Sequence, residues 1–434
     1  MATDIPKGTP PPVIEDENRR LRRAVEELSI LNDLARAIGG VVNSQEIMHT
    51  IIHRSVRAIH AEQGVITMVD QQGHDAMKTL VRTMVTEAGH QPFHFSQALL
   101  GWMQLHRMPI TLNAPREDAR FRGVHWDESI HSLLCVPLMV KGEVRGVLTV
   151  YNKKTEGGFT DDDQRLLAII AGQSAQVIEN ARLYESEQAL LRMKEEIRLA
   201  GQIQADLLPK VLPEVPGYDI AGRTIPAQDV GGDYFDFIPM ESQQLGVCLG
   251  DVSGKGLPAS LLMANVQATL RSQSLLNPPP QLCIQRANTL LLQSTSPEKF
   301  VTLFYAVLNT MNHTLTYVNA GHEHPFLFTS DPEPVRLSTG GAPLSIIDKF
   351  PFEEQTVSLA PDDLLVVFSD GVSEAMNAEQ AQFGQSRLGA LLPDLRHDSA
   401  SVIIERIIEA VRTHAGGAPQ NDDITLVVLK RRPS

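Results

Sequence analysis

Four short acidic signatures, each joined to an apolar run, constrain this chain more than any other feature. They are Val230-Gly-Gly-Asp233-Tyr-Phe-Asp236, Gly250-Asp251-Val-Ser-Gly-Lys-Gly256, Phe368-Ser-Asp370-Gly371 and Asn421-Asp422-Asp423-Ile-Thr425. The apolar runs read as strands, and a strand end can deliver a carboxylate to the rim of a sheet. Carboxylates beside glycine suit hard cations such as Mg²⁺ or Mn²⁺, because oxygen ligands must converge while backbone carbonyls and waters fill the remaining positions. A single Asp-Gly pair is ordinarily a turn. Four of them, separated by roughly 20, 120 and 50 residues, would all have to be turns by coincidence. Asp233, Asp251, Asp370 and Asp422 are therefore the expected metal ligands, joined by a main-chain carbonyl, that of Val252. So many carboxylates without cations would raise one another's pKa, and two divalent cations, Mn²⁺ or Mg²⁺, would relieve the repulsion. Two such ions about 3.5–4 Å apart can bridge a water, lower its pKa and clamp a phosphoryl oxygen, which suits phosphate ester hydrolysis without a nucleophilic side chain. Asp236 and Asp423, adjacent to ligands in sequence, are expected to orient waters.

The bulk properties exclude other classes. At 434 residues, 42% apolar and mean hydropathy −0.11, the chain is long enough for two or three folded domains. A net charge of −14 argues against nucleic acid or an anionic membrane surface as partner, since both require concentrated Lys and Arg. Arg19, Arg20, Arg22 and Arg23 lie beside Glu15, Asp16, Glu17, Glu26 and Glu27 and read as a solvated helix face. Cys135, Cys248 and Cys283 have no paired spacing, so no disulfide framework or zinc site is expected. No basic stretch followed by an apolar one opens the chain, and no run of about 18 apolar residues appears, so the chain reads as cytoplasmic and free of the membrane.

Along the chain, residues 1–14 form a Pro-rich tail expected to be disordered, and residues 15–38 an amphipathic helix with Leu21, Val25, Leu28, Leu31, Ala35 and Ile38 at coiled-coil spacing. Strands follow at 64–69 and 79–85. A hairpin is expected over 132–151 about Lys141-Gly142, then a closing helix over 161–181. The Val136-Pro-Leu hairpin, Gly146-Val-Leu-Thr-Val and Asn152-Lys153 with Phe159 and Asp163 make residues 28–182 similar to a GAF sensor domain. Its ligand is unknown, and Lys153 with Asp163 reads as a pin between a loop and a helix. The helix continues over 183–208, where Leu183, Leu190, Met193, Ile197, Ala200, Gln204 and Leu207 form a stripe that would pair two copies in a homodimer or, alternatively, pack onto the domain that follows in the same chain. Beyond Pro213 the chain alternates many strands with helices over 258–274, 279–294 and 399–414, so stacked sheets flanked by helices are expected.

Residues 196–432 resemble a PPM-type (type 2C-like) Ser/Thr protein phosphatase of the bacterial stage-II-sporulation-E and stress-response regulator branch. The match is carried by Gln202-Ile-Gln-Ala-Asp-Leu-Leu-Pro209, Gly231-Gly-Asp-Tyr-Phe-Asp236, Gly250-Asp-Val-Ser-Gly-Lys-Gly256, Asn319-Ala-Gly-His322, Ser369-Asp-Gly371 and Asp422-Asp-Ile-Thr425. The resemblance implies an α+β, multidomain chain: an N-terminal helix and a GAF α/β domain, a long signalling helix, and a C-terminal β-sandwich between helical layers. It also implies that Asp251 bridges both metals, with Asp233 and Asp370 to the sides and Asp422 completing the site. Such enzymes remove phosphate from Ser or Thr of a small STAS-domain antagonist in sigma-factor regulation, under control of the N-terminal sensor. Departures exist. No histidine follows Asp251 to serve as general acid, so a metal-held water would protonate the leaving alkoxide, with Lys255 a candidate for charge stabilisation. The phosphate-gripping arginine of eukaryotic relatives has no clear counterpart, and Arg223 reads as an exposed strand residue. His322 reads as a turn histidine, not a ligand.

Two other functions fit parts of the pattern. Gly231-Gly-Asp-Tyr-Phe resembles the hairpin of diguanylate cyclases, but Tyr234 stands where the second acid belongs and Asp370 and Asp422 go unused. A non-catalytic scaffold that binds a phosphoprotein would be expected to have lost carboxylates, and all four are present.

Overall fold

The computed structural model describes residues 43–69, 78–83, 97–331 and 333–433. The expected tail over 1–14 and helix over 15–38 lie outside them. The chain divides into two compact units, split between Leu191 and Arg192.

The first unit is built on a five-stranded antiparallel sheet, order β2-β1-β5-β4-β3, from β1 (Ala61–Met68), β2 (Lys78–Thr83), β3 (Ile110–Leu112), β4 (Leu133–Val140) and β5 (Glu143–Lys153). The β4–β5 turn takes positive φ at both Lys141 and Gly142, the twist a two-residue hairpin requires. Two helices join the expected strands. In α1 (Ser44–Ile59) the Asn43 side chain accepts from the Gln45 N–H, and Ile47, Met48, Ile51, Ile52, Val56 and Ile59 recur on one buried face. The second, α2, runs over Gln97–His106. Lys153 Nζ donates to Asp163 Oδ1 at 2.7 Å and to the Ile59 carbonyl at 2.7 Å, so it pins the loop to the closing helix as expected.

That helix, α3, runs unbroken over Asp161–Leu207, with three aspartates in its first turn and Pro209 just beyond its end. Leu183, Leu190 and Met193 of the expected stripe are exposed, whereas Gln204 is buried.

The second unit stacks two sheets. One holds β7 (Tyr234–Met240), β8 (Gln244–Val252), β9 (Val301–Asn309), β10 (Thr314–Ala320) and β13 (Gly340–Gly341), with β14 (Gln355–Ser358) paired to β10. The other has the order β12-β11-β15-β16-β6, from β6 (Tyr218–Ile225), β11 (Phe326–Phe328), β12 (Val335–Arg336), β15 (Leu364–Phe368) and β16 (Ile424–Arg431). Phe235, Phe237, Val247, Leu249, Leu365, Val367, Val427 and Leu429 interdigitate between the sheets. Alternate residues of the same strands face outward. Tyr234, Cys248 and Tyr305 pack beneath α4 (Leu257–Ser274) and α5 (Pro280–Ser294), while Leu364, Val366, Leu426 and Val428 pack beneath α7 (Gln385–Leu395) and α8 (Ala400–Ala415). A one-turn helix, α6 (Asp370–Ser373), follows β15 directly. Both faces of each sheet are covered, which is why the strands read as continuous apolar runs. All three cysteines are buried and free. Among the described residues no helix is long and apolar enough to cross a membrane.

Candidate active site

Two antiparallel strand pairs of the sandwich bring the acidic signatures to one rim. Tyr234 pairs with Gly250 across β7 and β8, so Asp233, just before β7, and Asp251, near the end of β8, emerge together. Phe368 pairs with Leu426 across β15 and β16, so Asp370, opening α6, and Asp422, just before β16, emerge together from the other sheet. The sheets are tied at this rim by Asp423. Its Oδ2 accepts from the Gly232 N–H at 2.7 Å and the Asp233 N–H at 3.3 Å, and its Oδ1 accepts from the Ala227 N–H at 2.8 Å. Ser369 Oγ donates to the Asp423 carbonyl at 3.0 Å and accepts from the Thr425 N–H at 2.9 Å. Glycine is required at Gly371, where a Cβ would overlap that same Asp423 carbonyl.

Electrostatically the aspartates behave as one cluster. Burial first, and then the Asp251 charge, push the Asp233 pKa well above the carboxylate range. Asp233 is only 4% exposed, and its Oδ2 has no hydrogen-bond partner. Asp251 is pushed up to about 7, by burial and then by the charges of Asp370, Asp422 and Asp423. Asp370 is raised by burial and by Asp422. Lys255 supplies the nearest positive charge, its Nζ lying 2.9 Å from Asp422 Oδ2.

The residues fit a hard divalent cation. The donors are oxygens, one of them orphaned and buried. The point where a Gly232 Cβ would stand lies 2.9 Å from the Val252 carbonyl and 3.4 Å from Asp251 Oδ1, so the absence of a side chain there keeps a carbonyl and a carboxylate open to one space. Among the described residues no three His, Cys, Asp or Glu side chains lie close enough to enclose an ion by themselves.

One expectation is corrected. Asp236 does not reach the rim. Side chains alternate along β7, so Asp236 points with Tyr234 toward the helical layer, where its carboxylate accepts from Arg271 Nε at 2.7 Å and from Tyr234 Oη at 2.6 Å. It anchors α4 to the sheet. Asp423 does adjoin the site, but it holds the backbone that carries Asp233. Arg223 is an exposed strand residue paired with Glu405. His322, unlike a surface turn residue, is 5% exposed. Its Nδ1 lies 2.9 Å from the hydroxyl of Thr302, the residue opposite Asp251 on β9, and burial pulls its pKa down to about 3, so it is neutral. Gln204 has a role the apolar stripe concealed: its Nε2 donates to the Gly231 carbonyl at 2.6 Å and its Oε1 accepts from the Gly231 N–H at 3.0 Å.

In comparison with known families, residues 241–432 match the family described as stage II sporulation protein E (SpoIIE) and residues 42–179 match the GAF domain family. Over 241 residues the chain is 29% identical to the phosphoserine phosphatase RsbU of Bacillus subtilis, covering 55% of this chain and 71% of that one. Over 263 residues it is 27% identical to the protein IcfG of Synechocystis, covering 54% of this chain and 41% of that one. The SiaA-PP2C domain of Pseudomonas aeruginosa superposes with a TM-score of 0.49 at 18% identity, over 56% of this chain and 98% of that domain.

The raised pKa values carry a sign. A carboxyl whose pKa is higher folded than unfolded binds protons more tightly when folded, so stability falls as pH rises from the unfolded value, about 4, through the folded one. For Asp251 that window closes near pH 7. In the presence of chelator the melting temperature should therefore fall between about pH 5 and pH 8, and added Mn²⁺ or Mg²⁺ should raise it, most at the upper end. A melting temperature that climbs over this range in chelator would contradict the account.

Proposed function

We propose that this chain, in which a GAF domain is joined to a SpoIIE-type phosphatase domain, hydrolyses phosphoserine or phosphothreonine esters on a partner protein using water activated by two divalent cations, Mn²⁺ or Mg²⁺. The observation that carries the reading is geometric: β7 pairs with β8, β15 pairs with β16, and Asp423 ties the two pairs, which leaves Asp251 near enough to Asp370, Asp422 and Asp423, and Asp233 near enough to Asp251, for their charges to raise one another's pKa. Asp233, Asp251, Asp370, Asp422 and the Val252 carbonyl would hold the ions. Bound there, the ions would lower the pKa of a shared water and offset charge on the phosphoryl oxygens. Asp423 keeps the Asp233 turn in place through three backbone N–H groups. Lys255, beside Asp422, offers positive charge to the ester oxygens. No side chain at the rim is needed as nucleophile.

The 29% identity to a protein named a phosphoserine phosphatase supports the substrate class. A STAS-domain antagonist of an anti-sigma factor is the proposed partner and the cytoplasm the proposed setting, both by analogy with that branch. Regulation would pass along α3, which begins within the GAF unit and carries the Gln204 amide that grips Gly231. The exposed Leu183, Leu190 and Met193 on the same helix would pair two copies. The scaffold reading remains the second choice, since it leaves the coupled carboxylates without a task.

Hydrolysis of p-nitrophenyl phosphate tests the activity. Turnover should require Mn²⁺ or Mg²⁺ and stop with EDTA. Asp251→Asn should lower kcat by at least about 10²-fold, and Asp423→Asn by about 10–100-fold. Full activity of Asp251→Asn, or turnover indifferent to chelator, would remove the reading. Sedimentation tests the helix pairing: the full chain should run as a dimer and a Leu190→Glu, Met193→Glu variant as a monomer, whereas identical sedimentation of the two would exclude this interface.

A further inference from the structure

Beside the aspartates lies a cavity of about 480 Å³ that the hydrolytic reading does not use. Lys255, Gly371 and Asp422 line it, so it opens from the same rim. Met376, Val411 and Ala418 give it an apolar surface, and Arg412, from the last turn of α8, adds a guanidinium. Of the other charges in its lining, Asp422 is answered by Lys255, whereas Glu374 has no cation paired with it and its charge adds to that on Asp370. Arg412 is exposed, and among the described residues no hydrogen bond or ion pair engages its guanidinium. An exposed guanidinium with no direct partner, next to a phosphate-directed site on a chain of net charge −14, marks a spot where an acidic group would gain a charge-assisted contact.

We propose that this cavity receives the stretch of substrate chain flanking the phosphorylated residue, and that Arg412 selects an acidic side chain there. The proposal rests on the phosphatase reading above and specifies its substrate as a phosphoserine segment with an acidic residue close to the phosphate and an apolar residue beside it. A free phosphomonoester would leave the cavity empty. The apolar surface and the single guanidinium together suit a peptide, with packing supplying affinity and the charge supplying choice.

The test uses the full chain, Mn²⁺ and fluorescent peptides in which a phosphonate carbon replaces the ester oxygen of phosphoserine, so that binding is read without turnover. One peptide series places glutamate near the phosphonate and a second places lysine at the same positions. The native chain should bind the glutamate series about five- to tenfold more tightly, the size expected of one partly screened charge pair, and Arg412→Glu should reverse the order. Ala418→Trp, which fills the apolar part of the cavity, should weaken both series by about tenfold. An order that survives the charge reversal, or peptides indifferent to the filled cavity, would overturn the proposal. Ordinary phosphoserine versions of the same peptides separate it from the reading beneath. Charge-ordered binding without phosphate release would contradict the phosphatase assignment and leave the surface standing. Phosphate release with no charge order would contradict the surface alone.

Discussion

The Asp423 carboxylate, accepting three backbone N–H groups from the 227–233 segment, is the interaction on which the rest of the site depends. It joins the start of a strand in one sheet to the turn before a strand in the other. Without that tie the two carboxylate pairs would belong to separate sheets and nothing would set their spacing. With it, charges that repel one another are held at a single rim, and burial raises the cost of keeping them ionised. A fold that maintains such a cluster stores electrostatic work that a cation would release.

The surroundings follow from this demand. Gly232 and Gly371 lack side chains where backbone and carboxylate oxygens come closest. Ser369 completes the Asp423 backbone bonds, and neutral His322 fills the space behind Thr302 without adding charge. Lys255 partly offsets Asp422 but is half-exposed, so it screens the cluster without neutralising it. The Asp236–Arg271 pair, whose aspartate stands three residues beyond Asp233 in sequence, secures the helix that leads out of the Asp251 loop.

Much of this was legible in the amino-acid order. Strands covered on both faces read as unbroken apolar runs, so β8, β15 and β16 are evident without a structure, and the acids at their ends mark the rim. The Lys153–Asp163 pin followed from a short local spacing. What the order of residues conceals is partner choice at long range. Asp236 sits three residues from Asp233, yet the side-chain alternation of β7 sends it to Arg271, 35 positions away, and nothing local distinguishes the two acids. Gln204 falls within the stripe read from the sequence, and only its bonds to the Gly231 backbone show that this helix face meets polar groups there. Arg412 gave no signal at all, because its neighbourhood forms only when α8 and the 417–421 loop close beside Gly371.

Calorimetric titration of Mn²⁺ into the metal-free chain addresses the central claim most directly. The account predicts two ions per chain, with binding weakened at least tenfold by Asp251→Asn, the carboxylate on which the charges of Asp370, Asp422 and Asp423 all act. A chain that takes up no Mn²⁺, or binds it equally well with and without the Asp251 carboxylate, would contradict it.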